Sequence, residues 1–70
     1  MRIAKTFEDL PVGTPIQIYG RRLYKGLVIY SGWSWDYKED YVEVLFADGQ
    51  TLIYYEEDIE EEEIMIVELA

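Results

Sequence analysis

The sequence predicts one small all-β domain in which five short antiparallel strands form a barrel. Its 70 residues suffice for a single domain, residues 1–70. Aromatic residues make up 16% of the chain and include seven Tyr and two Trp, and aromatic side chains favour strands. Short alternating segments are separated by turn residues, and small antiparallel strands commonly avoid exposed edges by curling into a barrel.

The N-terminal segment predicts an edge strand followed by one short helical turn. Residues 2–5 are long enough only for a short strand. Thr6 followed three residues later by Asp9 is the pattern of a capped helical turn, because a Thr side chain accepts hydrogen bonds from the first free backbone amides. Pro11 and Gly13 then end the helix.

The remaining strands are recognised by alternation or by a high content of β-branched and aromatic residues. They cover residues 15–19, 23–30, 41–46, 50–55 and 64–69. Residues 20–22 form the turn between the first two of them. Alternation also predicts the core, because every second side chain points to the same face. The predicted core residues are Ile16, Ile18, Val28, Val42, Val44 and Phe46.

Glycines and polar residues predict the connections. Asp48 and Gly49 predict a two-residue hairpin turn, whose two central positions both need a positive φ. Gly26, inside its strand, indicates a bulge or a close approach of another backbone segment. Residues 31–37 either extend that strand or form a long loop, and residues 38–40 turn the chain.

Residues 10–59 resemble the Tudor-like branch of the SH3-like barrels. The resemblance rests on Val12-Gly13 before the first alternating strand, on the segment Tyr24 to Ile29, on the segment Tyr41 to Gly49 and on the acidic stretch that ends at Asp58-Ile59. It implies a five-stranded SH3-like (Tudor-like) barrel.

Tudor domains that read methylated Lys or Arg hold the cation in a cage of about four aromatic side chains. The resemblance places Tyr19, Tyr24 and Phe46 near three of the cage positions. The fourth falls at Asp48 or Gly49, where no aromatic residue stands. The alternative is that the three aromatic residues are ordinary wall and rim residues of a small barrel.

Composition excludes several classes of chemistry. The chain has neither His nor Cys, so disulfides, thiolate zinc sites and Ser-His-Asp triads are excluded. A barrel filled by its own side chains leaves no substrate pocket, and we therefore expect no enzymatic activity, no cofactor and no metal. The acidic residues also lack the alternating ligands and the glycine of a calcium loop.

Charge and hydropathy constrain the partners and the location. The longest apolar stretch has four residues, so we expect neither a membrane span nor a signal peptide. The lack of cysteine suits a reducing cytosol, and we expect a cytoplasmic protein. With 15 acidic and 6 basic residues the net charge is −9, which argues against direct nucleic-acid binding because phosphate contacts need many cations.

The charge is unevenly distributed. Residues 1–35 carry five bases and two acids, a charge of +3, whereas residues 36–70 carry one base and 13 acids, a charge of −12. The acidic run covers residues 56–63. Its acids are Glu56, Glu57, Asp58, Glu60, Glu61, Glu62 and Glu63. It either keeps the protein soluble and blocks edge pairing, or mimics a polyanion, since an extended chain advances about 3.3 Å per residue and a DNA strand carries a charge about every 3.4 Å.

Three aromatic residues, Trp33, Trp35 and Tyr37, are spaced so that an extended backbone puts them on one face. Tyr41 lies across the predicted turn. The group is either a protruding anchor for a partner, because Trp and Tyr are enriched at interface hot spots, or a cross-strand ladder that stabilises its hairpin.

These features predict a small acidic protein-interaction domain that binds a protein with a basic nucleic-acid-binding surface. It resembles, in kind, the acidic phage-type inhibitors that mimic DNA and block such a groove. The alternative is a Tudor- or SH3-like adaptor, or a structural subunit, that recognises a peptide or a complex partner. Besides the acidic run and the three aromatic residues, the predicted partner-binding residues are Asp36, Glu39, Asp40 and Glu43.

Overall fold

The computed structural model describes residues 2–19 and 23–67, which form one antiparallel sheet with a 3-10 turn and a short helix. The strands are β1 (Arg2–Ile3), β2 (Pro15–Tyr19), β3 (Leu23–Ser34), β4 (Glu39–Phe46), β5 (Thr51–Tyr55) and β6 (Ile64–Ile66). The 3-10 turn is Phe7–Asp9, and helix α1 is Glu56–Glu61.

The sheet order is β1-β6-β2-β3-β4-β5, so that β2 to β5 form a meander and β6 returns to pair with β2. The prediction of an all-β antiparallel domain is confirmed. The predicted closed barrel of five strands is not formed, because the sheet has six strands and its edges, β1 and β5, do not pair. The edge strand β1 offers only two residues, which pair with β6.

The core lies on one face of the sheet, called here the inner face. All six predicted core residues are buried there, and the alternation of β4 between Val42 and Phe46 is as predicted. The segments outside the central strands complete the core with Leu10 and with Ile59 of α1. The other buried residues are Ala4, Tyr54, Ile64 and Ile66.

The capped N-terminal turn is confirmed. The Glu8 amide donates to Thr6 Oγ1 at 3.3 Å, and Asp9 Oδ2 accepts from the amides of Lys5 at 2.9 Å and Thr6 at 3.4 Å. These backbone bonds, from Lys5 first, hold the pKa of Asp9 below its usual value, and Arg2 contributes further. A carboxylate at the start of the turn therefore fixes the direction of the chain between β1 and the core.

The β4–β5 hairpin differs from the prediction by one residue. The Gly49 amide donates to the Phe46 carbonyl at 2.9 Å, and the Phe46 amide donates to the Gln50 carbonyl at 2.8 Å. The loop therefore has three residues, with Gly49 at φ +90 and Asp48 outside the positive-φ region. Asp48 instead accepts a bond from the Gln50 amide at 3.0 Å. A three-residue loop with one left-handed glycine is the second common hairpin geometry.

Strand β3 continues to Ser34, so the extension of this strand is the alternative that the structure supports. The chain turns over residues 35–38 rather than 38–40, and Glu39 and Asp40 already belong to β4. Lys38 completes this turn with φ 54.

Gly26 is a site of close approach, although its nearest neighbour is a side chain rather than the expected backbone. A Cβ atom at this position would lie 2.6 Å from Cγ1 of Val44. The bulge lies further along β3, because Val28 pairs with Val44 whereas Tyr30 pairs with Glu43. Ile29 is the extra residue, and it shifts the alternation of the rest of the strand by one position.

The acidic run begins as a helix, and the expectation that it is an extended segment is wrong. Five of its acids lie in α1, which Asp58 caps by accepting the Tyr55 amide at 3.0 Å. Buried Ile59 anchors the helix to the core. A helix advances only about 1.5 Å per residue, so the proposed match to the spacing of DNA phosphates does not apply to α1.

Two predicted segments fall partly or wholly beyond the described ranges. The predicted turn at residues 20–22 lies outside them, as do residues 68–69 of the last predicted strand. Among the described residues, no helix is long and apolar enough to cross a membrane.

Candidate functional site

The face of the sheet opposite the core, called here the outer face, carries apolar side chains as well. On β4 it presents Tyr41, Glu43 and Leu45, and the strand register places Ile53 of β5 opposite Glu43. Tyr30 of β3 lies opposite Glu43 on the other side. Leu45 is 39% and Ile53 47% exposed, so this face is apolar and open to solvent.

Four tyrosine rings on this face form a continuous chain of contacts, called here the tyrosine cluster. The ring centroids of Tyr30 and Tyr41 are 5.2 Å apart, those of Tyr41 and Tyr55 are 6.0 Å apart, and those of Tyr55 and Tyr37 are 5.2 Å apart. All three contacts are tilted, with interplanar angles of 33°, 47° and 60°. The centroid distances fall within the range of favourable aromatic pairs.

Gly32 creates the space that the Tyr30 ring needs. A Cβ atom at Gly32 would lie 2.7 Å from the Tyr30 hydroxyl oxygen and 3.0 Å from the adjoining ring carbon. Because Gly32 pairs with Tyr41 across the ladder, the ring of Tyr30 lies over the glycine and reaches Tyr41. The glycine therefore permits the first contact of the cluster.

Hydrogen bonds and partial burial order the hydroxyl groups of the cluster. Desolvation raises the pKa of Tyr41, and the neighbouring Tyr30, to which it is hydrogen-bonded, and Glu43 raise it further. Desolvation and Tyr37 likewise raise the pKa of Tyr55, while a hydrogen bond with Ser34 lowers it. Tyr41 and Tyr55 are therefore neutral at physiological pH and present hydrogen-bonding groups between apolar ring surfaces.

The predicted arrangement of Trp33, Trp35 and Tyr37 on one face is wrong, because the strand ends at Ser34. Trp33 and Trp35 contact each other edge to face, with centroids 6.3 Å apart and an interplanar angle of 79°. The alternation of β3 points Trp33 away from the face that carries Gly32. Tyr37 instead turns back onto Tyr55, and its amide donates to Ser34 Oγ at 3.4 Å.

The predicted acids fall into two groups. Asp36, Glu39 and Glu43 surround the tyrosine cluster: the first two raise the pKa of Tyr55, and Glu43 raises that of Tyr41. Asp40 pairs with Trp33 on the opposite side of the ribbon. The second group follows β5 directly. Its exposed members are Glu56, Glu57, Glu60, Glu61, Glu62 and Glu63, whereas Asp58 is half-buried.

These acids lack counter-charges from the described bases. Within residues 2–19 and 23–67, the ion pair found joins Arg2 to Asp9 at 3.5 Å, at the N-terminal end of the fold. The same ranges contain no group of three or more side chains suited to a metal ion. In the described segment 36–43, Lys38 is the one base against Asp36, Glu39, Asp40 and Glu43, so the field around the tyrosine cluster is negative.

A shallow apolar groove of about 300 Å³ lies where β3 pairs with β4 at the end away from the tyrosine cluster. Its walls are Lys25, Gly26, Leu27, Leu45, Phe46 and Ala47. Lys25 is its one ionisable side chain, so the groove carries no acid–base pair. Its size is at the lower limit for small-molecule sites, which commonly measure about 300–1,000 Å³.

The aromatic cage implied by the Tudor resemblance is not available at Phe46, which is buried in the core. The side chains of Tyr19 and Tyr24 lie outside the described part of the chain. Sequence reasoning missed the roles of Tyr30 and Tyr55. Their only signal was the aromatic content of β3 and β5.

Comparison of the chain with protein-family models, with curated proteins and with solved structures finds no match in any of the three. The assignment of a function therefore depends on the chemistry of the surface alone.

Proposed function

We propose that this chain is a small acidic protein-interaction domain that binds a basic protein surface through the tyrosine cluster and the acids around it. One observation carries the proposal: four contacting tyrosines occupy an uncovered sheet face beside carboxylates that have no described counter-charge. An apolar face of this kind is unusual on a monomer unless it binds something.

The chemistry of the surface favours a cationic partner. Tyrosine supplies contact area and a hydroxyl with few rotatable bonds, and it is enriched at hot spots. Its ring face attracts Lys and Arg, while nearby carboxylates accelerate association with positive surfaces. Trp35, 84% exposed, and Tyr37, 68% exposed, extend the surface to the tip of the β3–β4 hairpin. A standard interface needs about 800 Å² per partner, and the protein exposes 5113 Å².

A nucleic-acid-binding protein is the partner class that we favour, which makes the chain a phage-type inhibitor that occupies a basic groove. The net charge of −9 and the exposed acids after β5 support this version. This inhibitor role requires a surface with a high density of negative charge, and it does not require acids spaced like DNA phosphates. The absence of cysteine supports a cytoplasmic location for this encounter.

An SH3-like or Tudor-like adaptor is the second candidate. The strand order β6-β2-β3-β4-β5, with one helical segment before the last strand, supports an open variant of the SH3-like arrangement. An adaptor would recognise a peptide or a complex partner, which need not bind nucleic acid.

Binding measurements with surface variants test the proposal. The partner is captured from the native host, and its affinity is measured with and without competing DNA. Tyr37→Ala should cost about 2 kcal/mol or more, as expected for a hot spot. Exchanging Glu60, Glu61, Glu62 and Glu63 for Gln should slow association and reduce its salt dependence.

Val12→Ala is the matched control, because Val12 is also exposed but lies far from the tyrosine cluster in sequence. Binding that tolerates Tyr37→Ala and the four Gln substitutions as well as it tolerates Val12→Ala contradicts the proposal. Binding that depends on Tyr37 but is indifferent to DNA favours the adaptor.

A further inference from the structure

The edge strand β5 has the features of a strand-docking site. It is the last strand of the sheet, and among the described strands it pairs with β4 alone. Its sequence, Thr-Leu-Ile-Tyr-Tyr, contains no charge and no proline. Exposed edges of natural sheets are usually blocked by such residues, by bulges or by shortness. Leu52 is 51% and Ile53 47% exposed, so this edge carries none of those protections.

The hydrogen-bonding pattern of the hairpin shows which groups of β5 face outward. The Phe46 amide bonds to the Gln50 carbonyl, and bonded pairs alternate in an antiparallel ladder. Leu52 and Tyr54 therefore bond to β4, whereas the amides and carbonyls of Thr51 and Ile53 point away from it. The Tyr55 amide also points away, and Asp58 satisfies it.

The other edges of the sheet are less suitable. Strand β1 has two residues. The part of β3 that extends beyond β2 follows the bulge at Ile29, and a bulge bends and twists a strand so that pairing is hindered. The register of β5 with β4 runs without a shift from Thr51 to Tyr55.

Charge identifies the occupant. Acidic residues lie at both ends of β5. Helix α1 follows its C-terminal end with Glu56 and Glu57 exposed, and Asp48 precedes its N-terminal end. A second copy of this chain would bring another charge of −9 to the same edge, and like charges oppose that pairing. Leu52 and Ile53 point to opposite faces of the sheet. A segment with alternating cationic and apolar residues would place its apolar side chains on one face, beside one of these two residues, and its cations on the other face, between the acids at the two ends of β5.

We propose that β5 accepts an extended cationic segment of the partner protein as a seventh strand, held by backbone hydrogen bonds to Thr51 and Ile53. This inference rests on the proposed function for the charge of the partner. The strand-docking site adds a mode of recognition to the proposed function, in which main-chain hydrogen bonds supply affinity and alternate side chains supply specificity.

The test uses the whole protein and the peptide Ac-Lys-Val-Lys-Val-Lys-Val-Lys-NH₂, with its Glu-for-Lys counterpart as the charge control. Binding is followed by amide chemical shifts and by hydrogen exchange. We expect the cationic peptide to bind, the acidic peptide not to bind, and the amides of Thr51 and Ile53 to become protected.

A second experiment uses two forms of the cationic peptide that are methylated at every second backbone nitrogen, one form for each of the two alternating sets of nitrogens. The peptide whose methyl groups replace the N–H donors that face β5 should lose about tenfold in affinity, since each bond is worth about 0.5–1.5 kcal/mol. The peptide whose methyl groups lie on the other nitrogens keeps those donors and should bind normally.

Ile53→Pro removes an outward amide without removing a bond to β4, and Ile53→Thr retains the amide as its matched control. Ile53→Pro should abolish binding and Ile53→Thr should not. The methylated peptides give the same answer if Ile53→Pro fails to fold.

Binding that survives both Ile53→Pro and methylation of the donors facing β5, but falls with Tyr37→Ala, overturns the inference and leaves the proposed function standing. Equal binding of both peptides at β5 overturns the cationic partner in both proposals. If neither peptide binds, the strand-docking site is overturned.

Discussion

The two faces of β4 are both rich in apolar side chains, yet they serve different purposes. On the inner face, Val44 and Phe46 are covered by the segments that carry Leu10 and Ile59. On the outer face, Tyr41 and Leu45 lie between their partners on β3 and β5, and Leu45 remains 39% exposed. The comparison teaches that cover, rather than hydropathy, distinguishes a core from an exposed apolar face in a sheet this small.

The largest effect should come from truncating adjacent residues on opposite faces. Phe46→Ala leaves a cavity in the core and should cost about 3–5 kcal/mol of stability. Leu45→Ala removes a half-exposed side chain and should cost less than about 1 kcal/mol. Urea unfolding of both variants measures the difference. Equal losses would mean that the outer face is covered in solution.

A smaller difference is expected between two glycines of β3. A Cβ atom at Gly26 would meet Val44 Cγ1 at 2.6 Å and the Leu45 carbonyl oxygen at 3.2 Å, so Gly26→Ala should cost about 1–3 kcal/mol through overpacking. At Gly32 the obstacle is the Tyr30 side chain, which can rotate away. Gly32→Ala should retain more stability but alter the near-UV circular dichroism of the tyrosine cluster. An unchanged spectrum would contradict the contact between Tyr30 and Tyr41.

The smallest effect concerns Tyr54 and its alkaline titration. Burial raises the pKa of Tyr54 to about 12, and Glu62 and Asp58 contribute. Because the folded pKa lies above the ordinary value of 10.0, the neutral hydroxyl stabilises the fold fully below pH 10. This stability is lost as the pH rises from 10 towards 12, with a slope of about 1.4 kcal/mol per pH unit.

Tyr54→Phe should remove this slope. The difference in unfolding free energy between the variant and the parent should be constant from pH 7 to 9 and should shift in favour of the variant above pH 10. Parallel curves up to pH 11.5 would show that Tyr54 titrates normally in the folded protein.

The strands and the core could be predicted from the sequence because alternation is a local signal. The register could not. A two-residue loop at Asp48-Gly49 pairs Tyr41 with Glu56, whereas the observed three-residue loop pairs Tyr41 with Tyr55. One residue in the loop therefore decides whether Tyr54 or Tyr55 lies on the core side, and the same dipeptide suits both loops.

Helix α1 also escaped prediction, for a different reason. A helix of six residues is too short to show an apolar period, and the acids at its C-terminal end oppose the helix dipole. Its position is set by the cap from Asp58 and by the burial of Ile59. The cap joins residues only three positions apart, whereas the burial of Ile59 is a tertiary feature, and the lone apolar residue in the acidic run was its one local indication.

The extra residue in β3 has a consequence for insertions and deletions in the gene. Loss of Ile29 would keep Val28 opposite Val44 and Tyr30 opposite Glu43, so the tyrosine cluster would survive in a straighter ribbon. Loss of Ser31 would instead move Trp33 to the position opposite Tyr41. A change of three nucleotides would thus exchange the aromatic residue on the outer face while the core remains as it is.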